Sequence, residues 1–342
     1  MKYSIIPYGT LNGIDYDLIQ INNKDVTISF TNLGARINQW LLGSDNLILG
    51  FDNSQDAQLG EGYYYGASIG RIAGRISAGS FSIDGTDYQL PLNESENHLH
   101  GGPNGFDLKR WDYEINDKEE SIQIIFSLLD QDGENGFPGN LKAQVIHTYS
   151  VDNSWSVTFK ATSDKDTLFN PTNHVYFNLN GSHAQTILNH KLKIDADTYV
   201  PVKVDGTPVG ELSSVEGTAF DVREGKLIGD LFNMVDDQVK LKNGFDHPFV
   251  INHGASKTPI VLSVPELQRH IEVSTDRDAV VVYTHNVVEP PMKIWGEELQ
   301  PYAAITLETQ TIPDAINHAG FGNDILRKDT PFESTTTYRL VY

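Results

Sequence analysis

The feature that most constrains the fold is an alternation of apolar and polar residues that dominates the chain. In the segment WSVTFKA, Trp155, Val157, Phe159 and Ala161 fall on one face and polar side chains on the other. This period of two is typical of a half-buried β-strand. Further runs of this kind are Val26–Phe30, Ile122–Leu128, Val145–Tyr149, Leu192–Ala196, Ile260–Val264, Ile271–Thr275 and Thr336–Val341.

Turn signals separate these runs, and helical patterns are scarce. Phe81–Leu90 (FSIDGTDYQL) predicts a hairpin whose tight turn is Asp84-Gly85. Only Asp230–Val235 and a turn near Asp314–Asn317 have helical character. No repeat and no linker divides the 342 residues. The sequence therefore predicts an all-β protein with few short helices, in which residues 1–342 form one antiparallel β-sandwich domain of two large packed sheets.

Charge and composition exclude several classes of function. Lys and Arg number 25 against 46 Asp and Glu, a net charge of -21, which repels nucleic acid and anionic membrane surfaces. The charge is compatible with a neutral or cationic ligand, but solubility is the simpler explanation. The absence of cysteine excludes thiol catalysis and thiolate metal sites. With neither a signal peptide nor a run of about 20 apolar residues, we predict a soluble cytoplasmic protein.

The segment Asn170–Gly181 (NPTNHVYFNLNG) places His174 among amides, a hydroxyl and a tyrosine. This mixture is too polar for a core strand and too apolar for a solvent loop. An unpaired buried amide or imidazole costs about 1–3 kcal/mol, so these groups need partners. The partners are either structural or a polar ligand.

Four other segments also combine polar groups with glycine and aromatic residues. In GRIAGRI, Arg71 and Arg75 are either surface arginines paired with carboxylates, the interpretation we favour from this segment alone, or contacts to a ligand in a cleft. In NGFDHPF, Asp246 caps its own turn or binds a ligand between two phenylalanines. In LETQ, Glu308 ends an apolar run, and its burial would raise the carboxyl pKa toward the range of a general base.

The remaining segment, NHLHGG, contains a His-x-His pair, His98 and His100. On a strand both imidazoles would point to one face, so a metal site has to be considered. A carboxylate that would complete such a site does not follow, and we predict no metal and no cofactor. The two glycines after His100 indicate a close approach to the backbone. Together, the five segments suit proton transfer on a neutral polyhydroxylated ligand.

These motifs, in this order, closely resemble those of the aldose 1-epimerases, also called galactose mutarotases. The resemblance extends from TNLGARI at Thr31–Ile37 through NHLHGG, GFDLKRW, NPTNHVYFNLNG and GFDHPF to LETQTIPDAIN, nearly the whole chain. It implies a β-supersandwich without metal or cofactor that interconverts the α and β anomers of aldohexoses such as galactose and glucose.

The resemblance also implies the roles of individual residues. Glu308 matches the family's general base and His174 its general acid. His100, Asp246 and Arg75 match its substrate-binding residues, which makes Arg71 the less probable contact. Glu308 would take the proton of the C1 hydroxyl while His174 protonates the ring oxygen. The opened aldehyde then rotates about C1–C2 and recloses.

Two positions depart from the family pattern. Gly74 stands where the family often has asparagine, and Val281 stands where some members have glutamine. Both departures remove contacts to sugar hydroxyls and bear on sugar preference rather than on the chemistry.

Other classes of function remain open. A sugar-binding protein on the same fold would bind without catalysis, because fold does not fix function. A hexose-phosphate epimerase would need further basic residues near the pocket, and a polysaccharide lyase would meet a strongly acidic surface. We expect a small-molecule aldohexose as partner, no nucleic acid or membrane, and a monomer or homodimer.

Overall fold

The computed structural model describes residues 1–254 and 256–342 and confirms an all-β fold of antiparallel strands. The first strands are β1 (Lys2–Leu11), β2 (Ile14–Asn23), β3 (Val26–Thr31), β4 (Arg36–Leu42), β5 (Asp45–Asn46), β6 (Ser68–Ile69), β7 (Arg75–Ile76), β8 (Ser80–Ile83), β9 (Thr86–Gln89) and β10 (His98–Leu99). The middle of the chain contributes β11 (Asp112–Asp117), β12 (Ser121–Asp130), β13 (Leu141–Ser150), β14 (Ser154–Ser163), β15 (Thr167–Leu168), β16 (Thr172–Asn173), β17 (Tyr176–Phe177), β18 (Lys191–Ile194), β19 (Thr198–Tyr199) and β20 (Ser213–Ser214). The last strands are β21 (Lys226–Leu227), β22 (Asp246–Val250), β23 (Ile260–Val264), β24 (Arg269–Thr275), β25 (Ala279–Tyr283), β26 (Lys293–Ile294), β27 (Glu297–Glu298), β28 (Ile305–Gln310), β29 (Ile325–Leu326) and β30 (Phe332–Val341).

Three large sheets form the framework. The nine-stranded sheet has the order β11-β12-β13-β14-β30-β24-β23-β18-β21, and the six-stranded sheet has the order β17-β28-β25-β22-β19-β20. A five-stranded sheet, β1-β2-β3-β4-β5, is built from the N-terminal segment in chain order. The predicted strands lie within or overlap these strands, and the hairpin turn at Asp84-Gly85 has positive φ at both residues.

The alternation seen in the sequence marks the buried face of the nine-stranded sheet. Trp155, Val157, Phe159 and Ala161 on β14 are all buried and belong to the largest apolar cluster, whereas the residues between them are half-buried. Burying a side chain of this size stabilises the fold by about 1.5–3 kcal/mol. This face therefore supplies much of the core.

Strand β28 lies between the core and a cavity. On one face, the Leu307 carbonyl accepts a hydrogen bond of 3.1 Å from Tyr338 of β30, and Thr309 meets Thr336 of the same strand at 2.5 Å. Because side chains alternate along a strand, those of Glu308 and Gln310 point to the opposite face. The packed core thus holds one face of β28 rigidly and presents the opposite face to the cavity.

Helices are few and short, as predicted. They are α1 (Ser54–Leu59), α2 (Ile228–Phe232) and α3 (Asp237–Lys242), and a 3₁₀ turn covers Ala315–Asn317. The predicted helical segments at Asp230–Val235 and Asp314–Asn317 overlap α2 and this turn. Across residues 1–254 and 256–342, no helix is long and apolar enough to cross a membrane.

Candidate active site

A cavity of about 520 Å³ opens over the six-stranded sheet and contains every predicted site residue. Strands β22, β25 and β28 form its floor, and the segments around β7, β10 and β16 form its walls. Arg75, His100, His174, Asp246 and Glu308 all line it. Its volume falls within the range of small-molecule sites and is sufficient for a hexose.

His174 and Glu308 are brought together by strand register. Tyr176 of β17 pairs with Thr306 of β28 in an antiparallel ladder. Continuing that register by two residues places His174 opposite Glu308 on the same face. Their side chains meet at 3.3 Å, Nε2 to Oε1, and both are almost fully buried. Thr306 donates a hydrogen bond of 2.9 Å to the same carboxyl group and fixes its orientation.

Burial shifts the pKa values of this pair in opposite directions. Loss of hydration raises the pKa of Glu308 to about 8 and lowers the pKa of His174 to about 3. Near neutral pH, the two groups therefore hold one proton between them, and the titration belongs to the pair rather than to either residue. Asp246 favours the charged form of His174, which makes transfer of that proton to the imidazole easier.

His100 is held in one tautomer by the backbone beside it. Leu99 of β10 pairs with Arg75 of β7, so His100 lies opposite Gly74. The backbone N–H of His100 donates to the Gly74 carbonyl at 3.0 Å, and the ring Nδ1 of His100 accepts from the Gly74 N–H at 3.2 Å. Burial, with smaller contributions from His174 and Arg75, keeps the His100 pKa well below its usual value. The neutral ring therefore carries its proton on Nε2, which is a hydrogen-bond donor.

His100, His174 and Glu308 are also the one group in the described ranges with metal-ligand geometry. One atom of each lies within 4.8 Å of the others. A metal ligand must offer an unprotonated nitrogen, whereas the Gly74 N–H directs the proton of His100 to Nε2. Metal binding through that atom would cost the hydrogen bond to Gly74. The arrangement is better suited to proton transfer and hydrogen bonding than to holding an ion.

Arg75 and Asp246 form the charged wall of the cavity. Arg75 binds Glu94 through two hydrogen bonds of 2.5 and 2.8 Å, and its third nitrogen lies 3.9 Å from Asp246. Nζ of Lys242 lies 3.3 Å from the same carboxylate oxygen of Asp246, Oδ2. Burial opposes ionisation of Asp246, but Arg75 and Lys242 outweigh it and lower the pKa below its usual value. The carboxylate is thus ionised and able to accept hydroxyl hydrogen bonds.

A loop covers the guanidinium of Arg75 at a glycine. Gly206 has φ of +82°, and a Cβ there would lie 2.5 Å from Cζ of Arg75. Glycine therefore allows the backbone to lie directly on the arginine. This contact, together with Glu94, fixes the position of Arg75 before any ligand binds.

Arg71 pairs with a carboxylate, the other role considered for the two arginines, but it is not on the surface. Its side chain is about 1% exposed and pairs with Asp130 at 2.6 Å. Its remaining donors bind the backbone carbonyls of Asp130, Gln131, Pro138 and Gly139. The expectation of two surface arginines was therefore wrong for Arg71, which is a buried structural residue.

The expectation that His98 and His100 share one face was also wrong. His98 lies on β10 and contacts the carbonyl of Pro91, whereas His100 follows the strand with φ of +50°. This left-handed conformation turns the chain, so the period of two no longer applies. His247, next to Asp246, likewise points away from the cavity and contacts Gln238 at 3.0 Å.

The polar segment Asn170–Gly181 divides into structural and site residues. Asn170, Asn173 and Asn178 bind backbone carbonyls at 2.7–3.0 Å and tie together neighbouring segments. Only His174 and Tyr176 of this segment line the cavity. The structural explanation is therefore correct for the three asparagines, and the explanation by a polar ligand stays a prediction for the residues that line the cavity.

Sequence reasoning missed the aromatic residues around the pair. The Tyr64 ring lies 4.7 Å from that of His100 and 5.6 Å from that of His174, centroid to centroid. Tyr176 and Tyr283 complete the aromatic wall. Tyr64 stands in the run YYY with no motif of its own, and its φ of +58° is a tertiary feature. Aromatic faces such as these can cover the apolar side of a sugar ring.

Comparison with known proteins is consistent across sequence and structure. The profile of the aldose 1-epimerase family matches residues 17–339. Among relatives, an aldose 1-epimerase of Escherichia coli K12 is 35% identical over 96% of both chains. A human galactose mutarotase is 37% identical over 86% of this chain and 84% of its own.

A solved structure of similar fold is described as galactose 1-epimerase from Lactobacillus acidophilus NCFM. It superposes with a TM-score of 0.90 at 34% identity, covering 99% of this chain and 98% of that one. The fold is thus shared with this protein over nearly the whole chain.

Proposed function

Since the chain belongs to the aldose 1-epimerase family and is an isomerase of that class, we propose that it interconverts the α and β anomers of aldohexoses such as galactose and glucose. Glu308 is the general base and His174 the general acid. Arg75, His100 and Asp246 bind the sugar. The observation that carries the proposal is the buried His174–Glu308 pair, 3.3 Å apart at the floor of a hexose-sized cavity.

In the proposed reaction, Glu308 accepts one proton from the sugar and His174 donates another to it. With the shared proton on His174, Glu308 removes the proton of the C1 hydroxyl while His174 protonates the ring oxygen, so the C1–O5 bond breaks and an aldehyde forms. Rotation about C1–C2 exposes the opposite carbonyl face. Reclosure returns both protons. A positioned acid or base typically contributes about 10²–10⁴-fold to such a step.

The supporting residues fit the charges that develop. The Nε2–H of His100 donates a hydrogen bond to the ring oxygen O5, where negative charge appears as the C1–O5 bond breaks. The fixed Asp246 carboxylate and Arg75 orient hydroxyl groups, which reduces the entropy lost in reaching the reactive geometry. Both residues are held by protein contacts and need no reorganisation on binding.

The paired cations favour a neutral sugar over a sugar phosphate. Arg75 is engaged by Glu94, and Lys242 by Asp246. Lys109, a further basic residue of the motif GFDLKRW, pairs with the buried Asp130. A phosphate would have to compete with these carboxylates. The sugar-binding alternative gives no reason for burying Glu308, since a hydroxyl-binding acceptor does not need a raised pKa.

We expect the protein to accelerate the decay of optical rotation of freshly dissolved α-D-galactose and α-D-glucose in proportion to its concentration. Polarimetry at constant temperature measures this directly. The Glu308→Gln variant is the matched control for any acceleration that does not depend on the proposed base. Acceleration only with a phosphorylated sugar, or binding without acceleration, would contradict the proposal. Action on these sugars in the cytoplasm, within hexose metabolism, belongs to the same proposal.

The pH dependence should report the proton that the pair shares. If the singly protonated pair is the active form, kcat/KM should be flat from about pH 5 to 7 and fall above about pH 8. The fall should approach tenfold per pH unit as that proton is lost. The value follows from the Glu308 pKa of about 8.

The measurement is kcat/KM by polarimetry at constant ionic strength. The uncatalysed rate is subtracted at each pH, because mutarotation is itself base-catalysed. A rise of kcat/KM through pH 8 would mean that the fully deprotonated pair is active. That result would remove the role of His174 as acid.

A further inference from the structure

Gln310 is a buried amide in the cavity that the proposed reaction does not use. It lies on β28 two residues after Glu308 and therefore on the same face of the strand. Its side chain lines the cavity and is fully buried. Neither its amide oxygen nor its amide nitrogen has a hydrogen-bond partner within residues 1–254 and 256–342.

Such an arrangement is costly unless a ligand uses it. A buried donor or acceptor left unpaired costs about 1–3 kcal/mol, and Gln310 has both kinds. Other amides near the site, such as Asn170 and Asn173, bind backbone carbonyls. Both amide atoms of Asn170 are bonded, and Asn173 lacks a partner only at its oxygen. Gln310 differs from both, because neither of its amide atoms has a partner among the described residues.

The neighbours of Gln310 cannot supply the same contact. Gly74 has no side chain, and a Cβ there would lie 2.8 Å from Pro313 and 3.6 Å from the amide oxygen of Gln310. On β25, Ala279 lies opposite Gln310 and Val281 lies opposite Glu308, and both are apolar. Gln310 is therefore the amide on this part of the cavity wall.

We propose that Gln310 is a specificity-determining residue that binds two neighbouring ring hydroxyls of the aldohexose, away from C1. Its nitrogen donates to one hydroxyl and its oxygen accepts from the other. Two residues on the same face of β28 thereby contact different parts of the sugar. Glu308 contacts C1 and Gln310 contacts the vicinal diol. This assignment rests on the proposed function and goes beyond it by naming the part of the substrate that Gln310 recognises.

The primary test replaces the amide with an apolar group of similar size, Gln310→Leu. We expect kcat/KM for galactose or glucose to fall about 10- to 100-fold, mainly through KM, because one or two hydroxyl contacts are lost. The proton-transfer pair is untouched, so the pH profile should keep its shape. Gln144→Leu, an exposed strand glutamine on β13, is the matched control and should change kcat/KM less than twofold.

A cycle with deoxy sugars identifies the contact. Wild-type protein should lose kcat/KM with the 2-, 3- or 4-deoxy sugar that lacks a hydroxyl bound by Gln310. Gln310→Leu should lose nothing further with that sugar, because the contact is already absent. If Gln310→Leu fails to fold, Gln310→Asn, which shortens the side chain by one methylene, takes its place in the same cycle.

Two results would overturn the assignment. One is an unchanged kcat/KM in the variant. The other is an equal loss with every deoxy sugar in both proteins, which would indicate a structural role. Either result leaves the acceleration by wild-type protein standing. Failure of wild-type protein to accelerate mutarotation would instead overturn the proposed function itself.

Discussion

Replacing Glu308 with glutamine should reduce kcat about 10²–10⁴-fold with both galactose and glucose, while leaving the fold intact. The amide keeps the size of the carboxyl group and can still accept the hydrogen bond from Thr306. It cannot accept a proton from the C1 hydroxyl. Loss of one positioned base typically costs about 10²–10⁴-fold. Polarimetry with high protein concentration measures the residual rate.

Stability provides an independent readout of the same variant. Burial raises the pKa of Glu308 from 4.5 to about 8, so the folded state retains a proton that the unfolded chain releases between these values. The contribution of Glu308 to stability is therefore lost as the pH rises from about 4.5 to 8, whatever the buried histidines contribute with the opposite sign. Glu308→Gln removes this loss, and its melting temperature at pH 8 should equal or exceed that of wild type.

The matched control for this variant is Glu114→Gln, which changes an exposed glutamate on β11. We expect it to alter neither the rate nor the melting temperature. Near-normal turnover by Glu308→Gln would contradict its assignment as the base. A low rate accompanied by a marked fall in melting temperature would point to a structural role instead.

Replacing Arg71 with methionine should reduce the free energy of unfolding by about 3–5 kcal/mol. The substitution leaves the buried Asp130 carboxylate with Lys109 alone and removes donors from several buried carbonyls. Native proteins of this kind are stable by only about 5–15 kcal/mol, so the loss is a large fraction of the total. Urea unfolding monitored by fluorescence measures it.

Arg110→Met is the matched control, because Arg110 is exposed and its partner Asp112 is almost fully solvated. An exposed ion pair contributes about 0–1 kcal/mol. Arg71 does not line the cavity, so the folded fraction of Arg71→Met should keep its KM. A stability loss below about 1 kcal/mol, or a large change in KM with normal stability, would contradict the structural assignment.

The sequence determined the fold class and predicted several of the charged and imidazole residues that line the cavity. Alternation along Trp155–Ala161 was sufficient to predict a half-buried strand, because side-chain direction along a strand depends only on a period of two. The motifs around His174, Asp246 and Glu308 were recognisable because each places polar groups in an apolar setting. Sequence likewise identified Gly74 and Val281 as departures from the family pattern.

Tertiary structure decided which of these residues meet. The two arginines of GRIAGRI look alike in sequence, yet Arg71 is buried against Asp130 and Arg75 lines the cavity. His98 and His100 separate because His100 adopts positive φ, which no local pattern revealed. The pairing of His174 with Glu308 depends on the register of β17 against β28, between segments far apart in the chain. Local patterns fix the direction of a side chain, whereas its neighbours, its hydration and hence its pKa depend on long-range packing.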